Sequence, residues 1–199
     1  MKQNIIIFIS GNGTNLQHVI DNYHNSGKIN IALVVSNKVE AYGLHRATKA
    51  NIPTLCIPHS GKIRQQHEKE IIKGINHVCD IQQIDYILCL GYMRIITSHL
   101  LNYLTARKIP IYNLHPALPN DDKLIGPKCI ERAYQQYLEG ERDTSGVMIH
   151  KLIEDVDMGS CIVYKEIDML SLEELEHYKK LISISEKICI AEFIDKLSR

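Results

Sequence analysis

The sequence predicts an α/β protein with a mostly parallel, twisted sheet flanked by helices, and three observations carry that reading. Short apolar runs recur through the first half, at Ile5-Ile6-Ile7-Phe8-Ile9, Ile31-Ala32-Leu33-Val34-Val35, Pro53-Thr54-Leu55-Cys56-Ile57 and Tyr86-Ile87-Leu88-Cys89-Leu90. Continuous runs of this length mark strands covered by helices on both faces. Segments of helical spacing lie between them, and such alternation implies βαβ crossovers in a parallel sheet. The second half is less regular. It reads as a helix, two strands and a long terminal helix, which adds an antiparallel strand region.

The elements follow in order. Leu16 to Tyr23, Leu44 to Ala50 and Gln66 to Val78 are the predicted crossover helices, the last placing Ile71, Ile72 and Ile75 among charges. Ile109-Pro110-Ile111-Tyr112 is a further strand, ended by Pro116, which has no N–H for a central ladder. Cys129 to Gly140 is a helix closed by glycine. Gly146 to Leu152 and Cys161 to Ile167 are strands. Ser171-Leu172-Glu173-Glu174 has the capping-box spacing and predicts a helix running to Leu197. With no repeat, low-complexity segment or Pro/Gly/Ser-rich linker, one domain over 1–199 is expected.

Composition narrows the function. Of 199 residues, 45% are hydrophobic and 23% charged, which are ordinary globular values, and the formal net charge is +0. No basic run or aromatic platform suggests nucleic acid. The apolar stretch from Ile5 is too short for a signal peptide or a membrane span, so a soluble cytoplasmic protein is expected. Cys56, Cys79, Cys89, Cys129, Cys161 and Cys189 contain no CxxC pair and read as reduced, mostly buried thiols.

Two segments carry chemistry. Asn113-Leu114-His115-Pro116 puts an amide and an imidazole two positions apart at a strand end, hence on one face. Strand ends are where open α/β sheets place ligands. An amide can hold a developing oxyanion and an imidazole can move a proton; an ordinary loop is the alternative. Ser10-Gly11-Asn12-Gly13-Thr14-Asn15 follows the first strand and opens a helix, so its N–H groups and dipole suit a phosphate. It is neither GxGxxG nor a P-loop, and a single phosphate fits better than a pyrophosphate; a plain βα turn is the alternative.

With both segments in one chain, the sequence resembles the phosphoribosylglycinamide formyltransferase family. The segments that carry the resemblance run in order through nearly the whole chain: Ile9 to Gln17, Val35-Ser36-Asn37-Lys38 with Ala41-Tyr42-Gly43-Leu44, Leu90 to Ile96, Asn113 to Pro119, and Asp155-Val156-Asp157-Met158-Gly159. The resemblance implies a Rossmann-like formyltransferase fold, phosphate-binding to about residue 100 and catalytic with the folate site over 101–199. It implies formyl transfer from 10-formyltetrahydrofolate, as co-substrate, to the amine of 5-phosphoribosylglycinamide in purine synthesis. Asn113, His115 and Asp157 are then catalytic. Gly11, Asn12, Gly13, Thr14, Asn15 and Glu186 bind the ribosyl phosphate substrate. Arg64, Met93, Arg94, Ile95, Ile96, Asn113 and Asp155 line the folate site. The loop Asn120 to Pro127 departs from the family by being short and lacking a Pro-Gly turn, Ser183 replaces a longer polar side chain, and Met158 and Ser160 vary the turn after Asp157.

In this chemistry Asn113 would donate to the oxyanion, His115 would donate while protonated and transfer a proton, and Asp157 would raise the His115 pKa. His150 reads as a partly buried strand residue, orientation of the Asp157 loop being the alternative. His115, His150 and Asp157 as a metal triad rank below this, and no metal is expected. The remaining histidines read as surface or helix residues. Other readings are an amino-sugar nucleotide formyltransferase, weakened by the lack of tryptophan and of a downstream domain; a formyltetrahydrofolate hydrolase, weakened by a chain starting at its first strand; and an inert nucleotide-binding module, which would not need Asp157. Small-molecule substrates are the expected partners, with no nucleic acid or membrane, in a monomer or weak homodimer.

Overall fold

A computed structural model describes residues 2–24, 26–170, 172 and 174–198. They form two compact units, one reaching Asn113 and including Ser198, the other running from Leu114 to Leu197. The seven strands stand in the sheet order β3-β2-β1-β4-β5-β6-β7.

In the first unit, β1 (Gln3–Ile9), β2 (Ile29–Ser36), β3 (Thr54–Cys56) and β4 (Tyr86–Cys89) alternate with α1 (Thr14–Asn22), α2 (Tyr42–Lys49) and α3 (Arg64–Cys79). β1 pairs in parallel with both β2 and β4, β2 with β3, and β4 with β5 (Ile111–His115). As the central strand, β1 has Ile5 to Ile9 fully buried, which explains its unbroken apolar run. Each predicted strand and crossover helix is present, with ends moved by a few residues.

α4 (Ser98–Ala106) was not predicted. Its start is specified at a distance. The buried carboxylate of Glu68, on α3, accepts from Thr97 N–H at 2.7 Å and from Thr97 Oγ1 at 2.6 Å, while Thr97 caps the helix by accepting from His99 N–H.

In the second unit, a single 3-10 turn (Asp122–Leu124) leads to α5 (Cys129–Leu138), then β6 (Thr144–Lys151), β7 (Cys161–Asp168) and α6 (Leu175–Leu197). β6 and β7 are antiparallel, as predicted. α6 buries Tyr178, Ile182, Ser185, Cys189 and Phe193 on one stripe, and Tyr178 Oη donates to Ser145 Oγ at 2.6 Å. The predicted capping box includes Ser171 and Glu173, which lie outside the described residues. All six cysteines are free thiols; Cys89, Cys129 and Cys189 are buried and Cys56 is exposed. No described helix is long and apolar enough to cross a membrane.

Candidate active site

β5 extends three residues beyond the apolar run that ends at Tyr112, so Asn113 and His115 stand inside the strand rather than after it. Pro116 then stops the strand. Strand alternation gives the two side chains a common face, with Leu114 opposite. Asn113 is half-buried, whereas His115 is only 5% exposed. A position at the strand end thus does not leave the His115 ring in solvent.

The second unit gathers partners around that ring. His115 Nε2 lies 3.0 Å from the Leu124 carbonyl oxygen. A carbonyl only accepts, so Nε2 carries the proton and Nδ1 holds the lone pair of the neutral ring. Asp157 Oδ2 stands 3.7 Å from Nε2, an ion-pair distance, and Oδ1 stands 3.5 Å from Nε2 of His150. Gly126 N–H donates to Asp157 Oδ2 at 3.0 Å. Asp157 lies in the loop between β6 and β7 with φ 57, a left-handed backbone that aspartate tolerates better than most residues. His150 is fully buried, with Nδ1 3.2 Å from the Lys151 carbonyl. The reading as a partly buried strand residue is therefore incomplete, because His150 also faces the carboxylate. Among the described residues no group of three His, Cys, Asp or Glu side chains is arranged to hold a metal.

The electrostatics correct one expectation. Burial pushes the His115 pKa down and outweighs the opposing effects of Asp157 and the Leu124 carbonyl; His150 and Arg132 push it down as well. Asp157 does favour the imidazolium, but the resting ring is neutral above the ordinary value of 6.5. For Asp157, burial pushes upward, but His150, the charge on His115 and the Gly126 N–H together hold it below 3.8. The result is a neutral imidazole beside an ionised carboxylate.

In the first unit, Gly13 is the N-cap of α1 with φ 71. A Cβ there would stand 2.7 Å from Gly43 Cα, and a Cβ on Gly43 would collide with Ile9 Cδ1. Gly43 N–H donates to the Gly11 carbonyl at 3.1 Å. Arg46, stacked 4.9 Å over Tyr42, holds the Asn12 carbonyl at 2.8 Å and Asn12 Oδ1 at 3.1 Å. Gly11, Asn12 and Thr14 are exposed, and the first amides of α1 have no partner within the helix ladder.

A formyl transferase family model matches residues 3–194. The chain belongs to the formyl transferase family. A phosphoribosylglycinamide formyltransferase of Dictyostelium discoideum is 38% identical over an alignment 209 positions long, gaps included, that covers 100% of this chain and 99% of that protein. One from Schizosaccharomyces pombe is 33% identical over an alignment of 208 positions that covers 99% of this chain and 98% of that protein. The solved phosphoribosylglycinamide formyltransferase of Coxiella burnetii is 31% identical with a TM-score of 0.83, covering 98% of this chain and 86% of that one.

Within this formyl transferase chain the remaining expected residues are dispersed over several elements. Met93 and Ile95 are exposed and Ile96 is buried. Met93 N–H is already engaged by Ser10 Oγ at 2.7 Å, and Ser10 Oγ in turn donates to Asn37 Oδ1 at 2.5 Å. Arg94 bonds the Lys62 carbonyl, Arg64 is exposed at the start of α3, Asp155 is exposed, and Glu186 is half-buried on α6. Sequence reasoning missed Ser10 as the link to Met93, Arg46 as the clasp on the glycine turn, and Cys129 and Arg132 beside His115. The last two lie three apart on the first turn of α5, a spacing that puts them on one face.

Proposed function

We propose that this chain transfers the formyl group of 10-formyltetrahydrofolate to the amine of 5-phosphoribosylglycinamide, in the cytoplasm and as a monomer or weak homodimer. Relatives of this name match the chain from end to end. The observation that carries the chemistry is the buried His115 held 3.7 Å from Asp157, on the strand that also bears Asn113.

The substrate amine attacks the formyl carbon, and the carbonyl π electrons move to oxygen. Asn113 Nδ2 donates to that oxyanion, and a preorganised donor of this kind is worth roughly 3–4 kcal/mol of barrier. His115 takes the amine proton at Nδ1, because Nε2 is already a donor to Leu124. The imidazolium so formed is stabilised by Asp157. Collapse of the tetrahedral intermediate breaks the bond to the folate nitrogen, and the proton is returned to that leaving group.

In this reading Gly11, Asn12, Gly13, Thr14 and Asn15 bind the substrate phosphate through the α1 N-terminus, with Glu186 toward the amine. Arg64, Met93, Arg94, Ile95, Ile96 and Asp155 serve the folate. Assay of the purified protein with both substrates tests the proposal directly. Formylated ribotide and tetrahydrofolate should form in equal amounts; formylation of an amino-sugar nucleotide alone, or no turnover, would overturn it.

A further inference from the structure

The buried thiol of Cys129 and the guanidinium of Arg132 have no place in the proton transfer described above. Both nevertheless act on the backbone that touches the reacting pair. Cys129 Sγ lies 2.9 Å from the Leu124 carbonyl and 2.7 Å from the Gly126 carbonyl, and Arg132 Nη2 donates to the Ile125 carbonyl at 2.6 Å. The carbonyls of Leu124, Ile125 and Gly126 thus face two side chains on the first turn of α5: Arg132 donates to the middle one, and the single S–H of Cys129 can donate to either of its flanking neighbours. The same three residues supply the Leu124 oxygen to His115 Nε2 and the Gly126 N–H to Asp157 Oδ2. Upstream, Asp121 is clamped bidentately by Arg142 at 2.6 and 3.0 Å, fixing the other end of the loop.

We propose that Cys129 and Arg132 are positioning residues, which hold residues 124–126 so that His115 stays in its Nε2–H tautomer with Nδ1 turned to the substrate. This rests on the functional reading given above. Two further features support it. Burial pushes the Cys129 pKa up, so the thiol keeps the proton it donates. His115, Asp157, His150, Arg132 and Cys129 are the ionisable groups gathered at the ring, and among them the tautomer is set by whichever acceptor Nε2 meets. With Leu124 O in place at 3.0 Å that acceptor is fixed; with the carbonyl loose, only Asp157 Oδ2, at 3.7 Å and beyond hydrogen-bond length, still favours Nε2–H, and Nδ1 competes for the proton.

The test is nitrogen-detected NMR of the imidazoles in full-length wild type, Cys129→Ala, Cys129→Ser and Arg132→Ala, together with steady-state kinetics. The wild type should show His115 as the Nε2–H form alone. Cys129→Ala and Arg132→Ala should populate both tautomers and lose about tenfold in kcat with little change in either KM. Cys129→Ser keeps a donor and should restore the single tautomer and most of the turnover. A wild-type tautomer and kcat in both alanine variants would overturn the proposal. His115→Ala is the separate control. If it retains full turnover, the functional reading fails instead, whatever the tautomer of the other variants.

Discussion

The glycine turn of the first unit and the His115 cluster of the second reach preorganisation by opposite routes. The turn is made by leaving atoms out: a Cβ on Gly13 would meet Gly43 Cα and one on Gly43 would meet Ile9 Cδ1, and the groups proposed to bind are backbone amides. The cluster is made by putting side chains in: an imidazole, a carboxylate, a thiol and a guanidinium are fastened to one stretch of backbone. The first device fails by steric intrusion and should show in substrate affinity. The second fails by loss of a partner and should show in turnover and its pH dependence.

The largest effect should come from the cluster. His115→Ala should lower kcat by about a thousandfold, as expected for loss of a positioned acid–base group. Because the ring is buried, the same change should also lower the melting temperature, so Tm is measured alongside. Turnover within a few-fold of wild type would break the contrast between the two devices.

Asp157→Asn should lower kcat by roughly 10–100-fold, since the imidazolium formed during transfer loses its counter-charge. Asparagine also tolerates a left-handed backbone, so it is a cleaner probe here than alanine. The pH profile carries a sign. In the proposed mechanism the neutral ring is the base, and burial sets its pKa below 6.5 while Asp157 pushes it upward. Removing the carboxylate lowers it further, so the acid limb of kcat should move to lower pH. An unmoved limb would show that Asp157 does not couple to His115.

Gly13→Ala should raise the KM for the phosphorylated amine by about tenfold, while the KM for the folate and kcat change little, because the added methyl meets Gly43 Cα and the residue is left at φ 71. Thr14→Val, on the exposed first position of α1, should act in the same direction more weakly. Equal effects on both KM values would blur the distinction between the two units.

These devices differ in how far they could be read from the chain. Ile5 to Ile9 and the glycines after it announce strand, turn and helix locally, so the first unit's order was legible. Asn113 and His115 were legible because strand alternation is local too. Nothing local says that Leu124 O will meet His115, that burial will outweigh Asp157 in setting its pKa, or that His150 will face the same carboxylate. Those facts depend on contacts between residues far apart in sequence, as does the start of α4, which Glu68 specifies from another helix.

The smallest effect is thermodynamic and involves both units. His67 is buried in the first, with Nε2 2.7 Å from the Ile57 carbonyl, and its pKa is lowered by burial, as that of His115 is in the second. Between the lowered folded values and 6.5 the unfolded chain binds more protons than the folded one. Stability should therefore fall as pH drops through that window. A shift of a few degrees in Tm, about 2–4 °C, is expected between pH 7.5 and 5.5. His67→Gln should reduce the shift in part, and a Tm that rises on acidification would contradict the burial of both rings.

The glycine turn is also not a transferable module. Its Gly11 carbonyl is held by the Gly43 amide, its Asn12 by Arg46, and its Gly13 is shaped by the absence of a Cβ on Gly43. All three supports come from α2. Grafting Ser10 to Asn15 onto another strand–helix junction would carry the amides but not the mould that sets them. A working graft would have to include Tyr42 to Arg46 as well, which makes the portable unit two helix starts rather than one loop.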